Sequence, residues 1–105
     1  MVIIETSVFT RRFRQLLSDE EYRLLQAALV ARPGLGVLIK GSGGLRKVRW
    51  AQAHKEKSGG VRVIYYCAVR RDQILMLLIY SKTERDDLTP AQLKVLKTIV
   101  EQEFP

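Results

Sequence analysis

Cysteine, histidine and acidic residues are all scarce in this chain of 105 residues, and each shortage excludes a class of function. A single cysteine, Cys67, rules out an internal disulfide, a zinc site built from several thiolates and an iron–sulfur centre made by this chain alone. It lies in an apolar run and reads as a small core residue. A single histidine, His54, cannot supply a cluster of metal ligands, and no Ser-His-Asp arrangement can be assembled around it. In a polar stretch it reads as a solvated loop residue. The acidic pairs Glu20-Glu21 and Asp86-Asp87 suit the start of a helix and the approach to one, and neither resembles a glycosidase dyad. No metal and no cofactor are expected. Long apolar runs are also missing: the longest, residues 74–80, has seven residues, against about 20 for a membrane-spanning helix. The N-terminus lacks a basic region followed by an apolar stretch and a small-residue cleavage site, so a cytoplasmic location is expected.

What is present describes one ordinary domain over residues 1–105. Hydrophobic residues make up 47% and charged residues 28%, values that exclude disorder and fibrous repeats. At this length a folded chain buries roughly 65% of the surface it exposes when unfolded. Lys and Arg total 18 against 11 Asp and Glu, a formal net charge of +7. Residues 45–71 hold eight basic side chains (Arg46, Lys47, Arg49, Lys55, Lys57, Arg62, Arg70, Arg71) and one acid, Glu56, so this stretch alone carries the whole excess. A field confined to one stretch of a small domain points to an anionic partner.

Periodicity gives the order of elements. Residues 1–5 are short, apolar and β-branched, as in an opening strand. Thr6, Ser7 and Thr10 offer caps before Phe9, Phe13, Leu16 and Leu17, which predict a first helix over about residues 8–17. Ser18 with Glu21 has the form of a capping box, and Tyr22, Leu25, Ala28 and Leu29 continue a second helical stripe that stops near Arg32, before Pro33 and Gly34. Residues 36–42 lack the lysine of a phosphate loop and predict a turn. From Leu45 the period changes to two, setting Val48 and Trp50 on one side of a strand and Leu45, Lys47, Arg49 and Ala51 on the other. Residues 52–60 form a lysine-rich loop. A second strand follows, with Val61, Val63, Tyr65, Cys67 and Val69 on one face and Arg62, Ile64, Tyr66, Ala68 and Arg70 on the other. Arg71 and Asp72 supply a turn, and residues 74–80 are apolar on both faces, as in a covered central strand. Thr89, Pro90 and Gln92 start a last helix with Leu93, Leu96, Ile99 and Val100 buried. The expected fold is α+β: a small antiparallel sheet, two N-terminal helices packed on one face, and a C-terminal helix.

If Val48, Trp50, Val61, Val63 and Tyr65 pack beneath helices, parity sends Lys47, Arg49, Arg62 and Tyr66 to the opposite, open face. Lys55 and Lys57 lie on the connecting loop, and Tyr80 and Lys82 close the neighbouring strand. Like charges repel, so a nearly acid-free cluster suits a phosphate backbone, and tyrosines beside arginines add surfaces for unstacked bases.

Pro33-Gly-Leu-Gly36, Gly41-Ser-Gly-Gly-Leu-Arg-Lys-Val-Arg49, Gly60-Val-Arg-Val-Ile-Tyr-Tyr66, Ile79-Tyr-Ser-Lys-Thr-Glu84 and Asp87-Leu-Thr89, in that order, resemble the RelE/ParE superfamily of bacterial toxins. Within it the chain is most similar to HigB-type host-inhibition toxins. The resemblance runs from the second helix to the last. It implies a RelE-like fold and the toxic half of a type II toxin–antitoxin pair. Such a toxin is a ribosome-dependent mRNA endonuclease that cuts message in the A site beside 16S rRNA, with a cognate antitoxin as partner and no membrane association. Carried over, Lys47 and Arg49 match the basic pair on a core strand, Arg62 the arginine opening the next strand, and Lys82 a basic position after the central strand. Thr83 and Thr89 stand where RelE has an arginine and its catalytic tyrosine, which leaves Tyr80 or Tyr66 as substitutes.

The candidate catalytic residues are therefore Arg62, Lys47, Tyr80 and Lys82, and the candidate RNA contacts are Arg46, Arg49, Lys55, Lys57 and Tyr66. Cleavage by the RNA's own 2′-hydroxyl needs a positioned strand, a proton acceptor, a proton donor and cations for the phosphorane. Arg62 suits the last task, because guanidinium donates two parallel bonds to phosphate oxygens. Lys47 serves as base only if neighbouring cations lower its pKa. Two alternatives stand beside this reading: a ParE-like gyrase inhibitor without nuclease activity, and a non-catalytic RNA-binding module.

Overall fold

The computed structural model describes residues 1–51, 60–85 and 87–105. His54, Lys55, Glu56, Lys57 and Asp86 lie outside the described residues. Elements follow in the order β1 (Val2–Glu5), α1 (Ser7–Leu16), α2 (Asp19–Ala31), β2 (Val37–Leu38), β3 (Leu45–Trp50), β4 (Val61–Ala68), a short 3-10 turn (Val69–Arg71), β5 (Gln73–Ser81) and α3 (Pro90–Glu103).

The helices begin where side chains can satisfy their first amides. Thr6 Oγ1 accepts from Phe9 N at 3.1 Å. Ser18 and Glu21 form the reciprocal box, with Glu21 N donating to Ser18 Oγ at 3.0 Å and Ser18 N to Glu21 Oε1 at 2.8 Å. Thr89 and Gln92 repeat it at α3, with Pro90 in the first turn.

The sheet order is β1-β5-β4-β3-β2. Strands β2 to β5 form an antiparallel meander, whereas β1 pairs parallel to β5, from Val2 opposite Gln73 to Glu5 opposite Met76. Two further details differ from the sequence reading. The turn over residues 36–42 contains the two-residue strand β2, paired with Arg46 and Lys47. Strand β4 ends at Ala68, so Val69 is exposed instead of continuing the buried face.

The sheet is covered on both sides, unequally. On one face α1 and α2 bring Phe9, Phe13, Tyr22, Leu25 and Leu29 onto Val48, Val61, Val63, Tyr65, Ile74, Met76 and Ile79. Phe13 and Tyr22 sit 4.2 Å apart between ring centroids. Half-buried Cys67 packs against this cluster, and burial pushes its thiol up, which matches an inert core residue. On the other face α3 sets Leu96 and Val100 against Leu45, Ile64, Leu75, Leu77 and Tyr80. The face expected to be open is thus roofed over part of its length. Tyr66 lies under that roof, its ring stacked on Phe104 at 5.8 Å.

The loop leading into β2 is held by one buried phenol. Tyr65 Oη accepts from Gly36 N at 2.8 Å and donates to the Pro33 carbonyl at 2.7 Å. Gly36 must be glycine here, since a Cβ would stand 2.8 Å from Tyr65 Cε1. Tyr65→Phe leaves two buried backbone groups unpaired and should lower the unfolding free energy by about 1–3 kcal/mol, read from urea denaturation. An unchanged midpoint would show that the loop does not depend on this anchor.

Candidate nucleic-acid interface

At the edge of the α3 roof, three strands place three side chains in one cross-strand row: Arg49 on β3 opposite Arg62 on β4, and Arg62 opposite Tyr80 on β5. Lys47 stands two residues along β3 on the same face. Tyr80 reaches this row through a β-bulge. Ile64 pairs with Leu78 but Tyr65 pairs with Met76, so Leu77 is the extra residue in β5. Under strict alternation from Ile74, with no bulge, Tyr80 would share the parity of Ile74 and Met76 and face α1 and α2.

The row is graded in burial. Arg49 is exposed, Lys47 half-buried and Arg62 only 6% exposed, so Arg62 does not stand clear of the core as the sequence reading expected. Its place in the sheet explains this: it pairs opposite Tyr80 of the core under α3, and its Nη1 donates to the Val61 carbonyl at 3.5 Å. Tyr80 is 1% exposed, and its hydroxyl has no hydrogen-bond partner among the described residues. Burial pushes the phenol up, the Asp87 carboxylate adds to that push, and Arg62 and Arg85 pull it partly back. The guanidinium of Arg85 lies 5.6 Å from the Tyr80 ring centroid. A protonated, unpaired donor next to an arginine is unusual in a fold, because such a group costs about 1–3 kcal/mol to bury unsatisfied.

The cluster is not acid-free. Lys47 Nζ donates to Asp87 Oδ1 at 3.3 Å, and the same oxygen accepts from Leu88 N at 3.0 Å. Arg85 and Asp87 are the site members that sequence reasoning missed, although Asp87 lies in a motif it singled out. Other candidates fall elsewhere. Arg46 occupies the opposite face, where its Nη1 donates to the Gly36 carbonyl at 2.7 Å and lies 3.4 Å from that of Gly34. Tyr66 is displaced along β4 toward Leu45 and Leu75, and its half-buried ring stacks on Phe104. Lys82 is exposed on the turn after β5.

A second ion pair holds the segment that carries Arg85 and Asp87. Glu84 accepts two bonds from Arg12 Nη2, at 2.6 and 2.5 Å, tying the end of β5 to α1, and its Oε1 lies 3.3 Å from Ser81 N. Against the upward push of partial burial, these bonds hold the Glu84 carboxyl below its ordinary value.

The protein is a small α+β domain with arginines, a lysine and a buried phenol gathered at one end of its sheet. Over residues 1–104 it matches the family model described as the RelE toxin of the RelE/RelB toxin–antitoxin system. The chain belongs to that family. Its fold is similar to that in the crystal structure of the intact E. coli RelBE toxin–antitoxin complex, with a TM-score of 0.59 at 13% identity, covering 74% of this chain and 92% of that one. It is also similar to a double arginine-to-alanine mutant of E. coli RelE in the free state, with a TM-score of 0.57 at 12% identity, covering 81% and 86%.

The Glu84 carboxyl gives a pH prediction. A folded-state pKa below the unfolded one contributes stability that is complete above about pH 4.3 and is lost as pH falls through the folded value. Glu84→Gln should therefore be less stable than the parent protein by a constant margin between pH 5 and 7, and the two should converge near pH 3 in urea titrations. A margin that persists at pH 3 would remove Glu84 ionisation as its source.

Proposed function

We propose that the protein is the toxin of a type II toxin–antitoxin pair and cuts mRNA on the ribosome by promoting attack of a 2′-hydroxyl on the adjacent phosphorus. The motifs from Gly41 to Arg49 and from Gly60 to Tyr66 support a place among the HigB-type members. The observation that carries the reading is the Arg49–Arg62–Tyr80 row, two cations and an unpaired phenol in one line.

In this reading the scissile phosphate lies across the row. Arg62 and Arg49 donate to its non-bridging oxygens and hold the phosphorane, a task for which they are fixed in advance by β-sheet pairing. Lys47 adds a third cation, and its partner Asp87 takes the 2′-hydroxyl proton. The new bond from O2′ to phosphorus forms as the bond to the 5′-oxygen breaks, leaving a 2′,3′-cyclic phosphate. Tyr80 gives its proton to the departing 5′-oxygen. Because Tyr80 is buried beside Arg85, it reaches that oxygen only when the strand draws the Arg85 guanidinium off its ring. Lys82 extends the cationic rim toward the strand, and Lys55 and Lys57 belong to the same proposed RNA surface. Ribosomal RNA completes the environment in the A site. A cognate antitoxin is the proposed partner, in keeping with the two-protein complex in which E. coli RelE is found.

A gyrase-inhibiting role needs no phosphate row, and a plain RNA-binding module needs no proton donor. Tyr80→Phe separates all three. It deletes an unpaired buried hydroxyl, so stability should hold or rise by up to about 1–3 kcal/mol, while cleavage of message in cells falls about 10²–10⁴-fold by 5′-end mapping. Full cleavage by the folded variant would exclude Tyr80 as the donor. DNA damage with intact message from the parent protein would favour the gyrase reading.

A further inference from the structure

A second basic groove lies on the far side of Asp87. The loop between β2 and β3 and the first turns of α3 enclose about 500 Å3, with Lys40 on one wall, Lys94 and Lys97 on the other, and Leu88, Pro90 and Leu93 as an apolar floor. All three lysines are exposed, and none lies within ion-pairing distance of an acid among the described residues. Lys94 and Lys97 are three apart and so share one face of α3. The loop comes close to the helix because Gly43 adopts φ 74°, and a Cβ there would stand 3.2 Å from Lys97 Cε.

Three like charges are drawn together here with no internal acid to offset their repulsion, which suits a polyanion. The loop and the start of the helix are each braced internally. Ser42 Oγ accepts from Leu45 N at 3.0 Å and lies 2.5 Å from the Ile39 carbonyl, and α3 is closed by its capping box. No strand residue lines the groove, so it offers charge and apolar contact, which fits a sugar–phosphate chain and not an added peptide strand. It is also contiguous with the row described above, because Leu88 in its floor directly follows Asp87, the partner of Lys47.

We infer that the Lys40–Lys94–Lys97 groove binds the sugar–phosphate backbone of the RNA strand flanking the phosphate held at Arg49 and Arg62. The inference rests on the RNA-cleavage reading and extends it from one phosphate to a track of several. Lysines suit this duty, since flexible point charges hold a backbone without selecting bases.

The test compares the parent protein with the triple variant K40A/K94A/K97A, in anisotropy titrations with 2′-O-methyl RNA strands of four and twelve nucleotides over a range of salt. Loss of three phosphate contacts should flatten the salt slope for the long strand by about 2, at about 0.7 per phosphate, and weaken its binding at least about tenfold at low salt. The four-nucleotide strand should bind the two proteins alike, and their thermal unfolding should coincide. An unchanged long-strand slope overturns the inference, as does an equal loss for the short strand. Tighter capture of an Asp/Glu-rich peptide than of the long strand, abolished in the variant, also overturns it by assigning the groove to an acidic protein. Cleavage of message by both proteins with unchanged long-strand binding removes the groove and leaves the nuclease reading. A parent protein that binds the long strand through the groove yet cuts no message does the reverse.

Discussion

The pairing of β4 with β5 is the constraint on which the rest of the molecule depends. Both strands are buried on two sides, so each residue must serve either the core under α1 and α2 or the core under α3. The register between them decides which. Their backbones are also the rigid frame for Arg62 and Tyr80, two polar groups with little freedom to adjust. In the proposed reading a phosphate is positioned by hydrogen-bonded strands, while Arg85 and Asp87 are tethered by side-chain pairs that can exchange partners.

Electrostatics and packing oppose one another at this end of the sheet. Burying Arg62 and leaving the Tyr80 hydroxyl without a partner both cost stability, and Arg49 and Lys47 add repulsion. The compensation comes from elsewhere: large aromatic and aliphatic side chains between α1, α2 and the sheet, and the single carboxylate of Asp87 on Lys47. An anion arriving at the row offsets the same costs that the fold carries without it. Binding and relief of strain in the free energy of the site are then one event.

Much of the fold is legible in the sequence because its signals are local. Capping residues at Ser18 and Thr89 mark helix starts within one residue, and strict alternation from Val61 assigns two faces to β4. Parity also places Lys47, Arg49 and Arg62 together, and it already separates Arg46 from them, although charge counting alone grouped all four. What alternation cannot carry is an irregularity that changes parity midway. Residues 74–80 are apolar on both sides, so no polar residue marks Leu77 as extra. Burial of Tyr66 depends on α3 and Phe104, far along the chain, and the approach of Asp87 to Lys47 depends on a loop path that no periodicity describes. Membership in the site was therefore readable for residues on regular strands and hidden for those set by tertiary contacts.

Leu77 gives the site an unusual sensitivity to the register of a strand. Loops in this domain can gain or lose residues and leave the row untouched, since they only join elements whose places are set by packing. Within β5, loss of the extra residue would restore plain alternation and leave Tyr80 opposite Arg62, whereas closing the bulge at full length would exchange Tyr80 with Ile79 between the two cores. The hydrophobic content would be unaltered, and a fold of the same outline would survive. Descendants of this sequence are thus free to shed the extra residue, but a lineage that kept the count of β5 and lost the bulge would keep its architecture while turning Tyr80 away from Arg62.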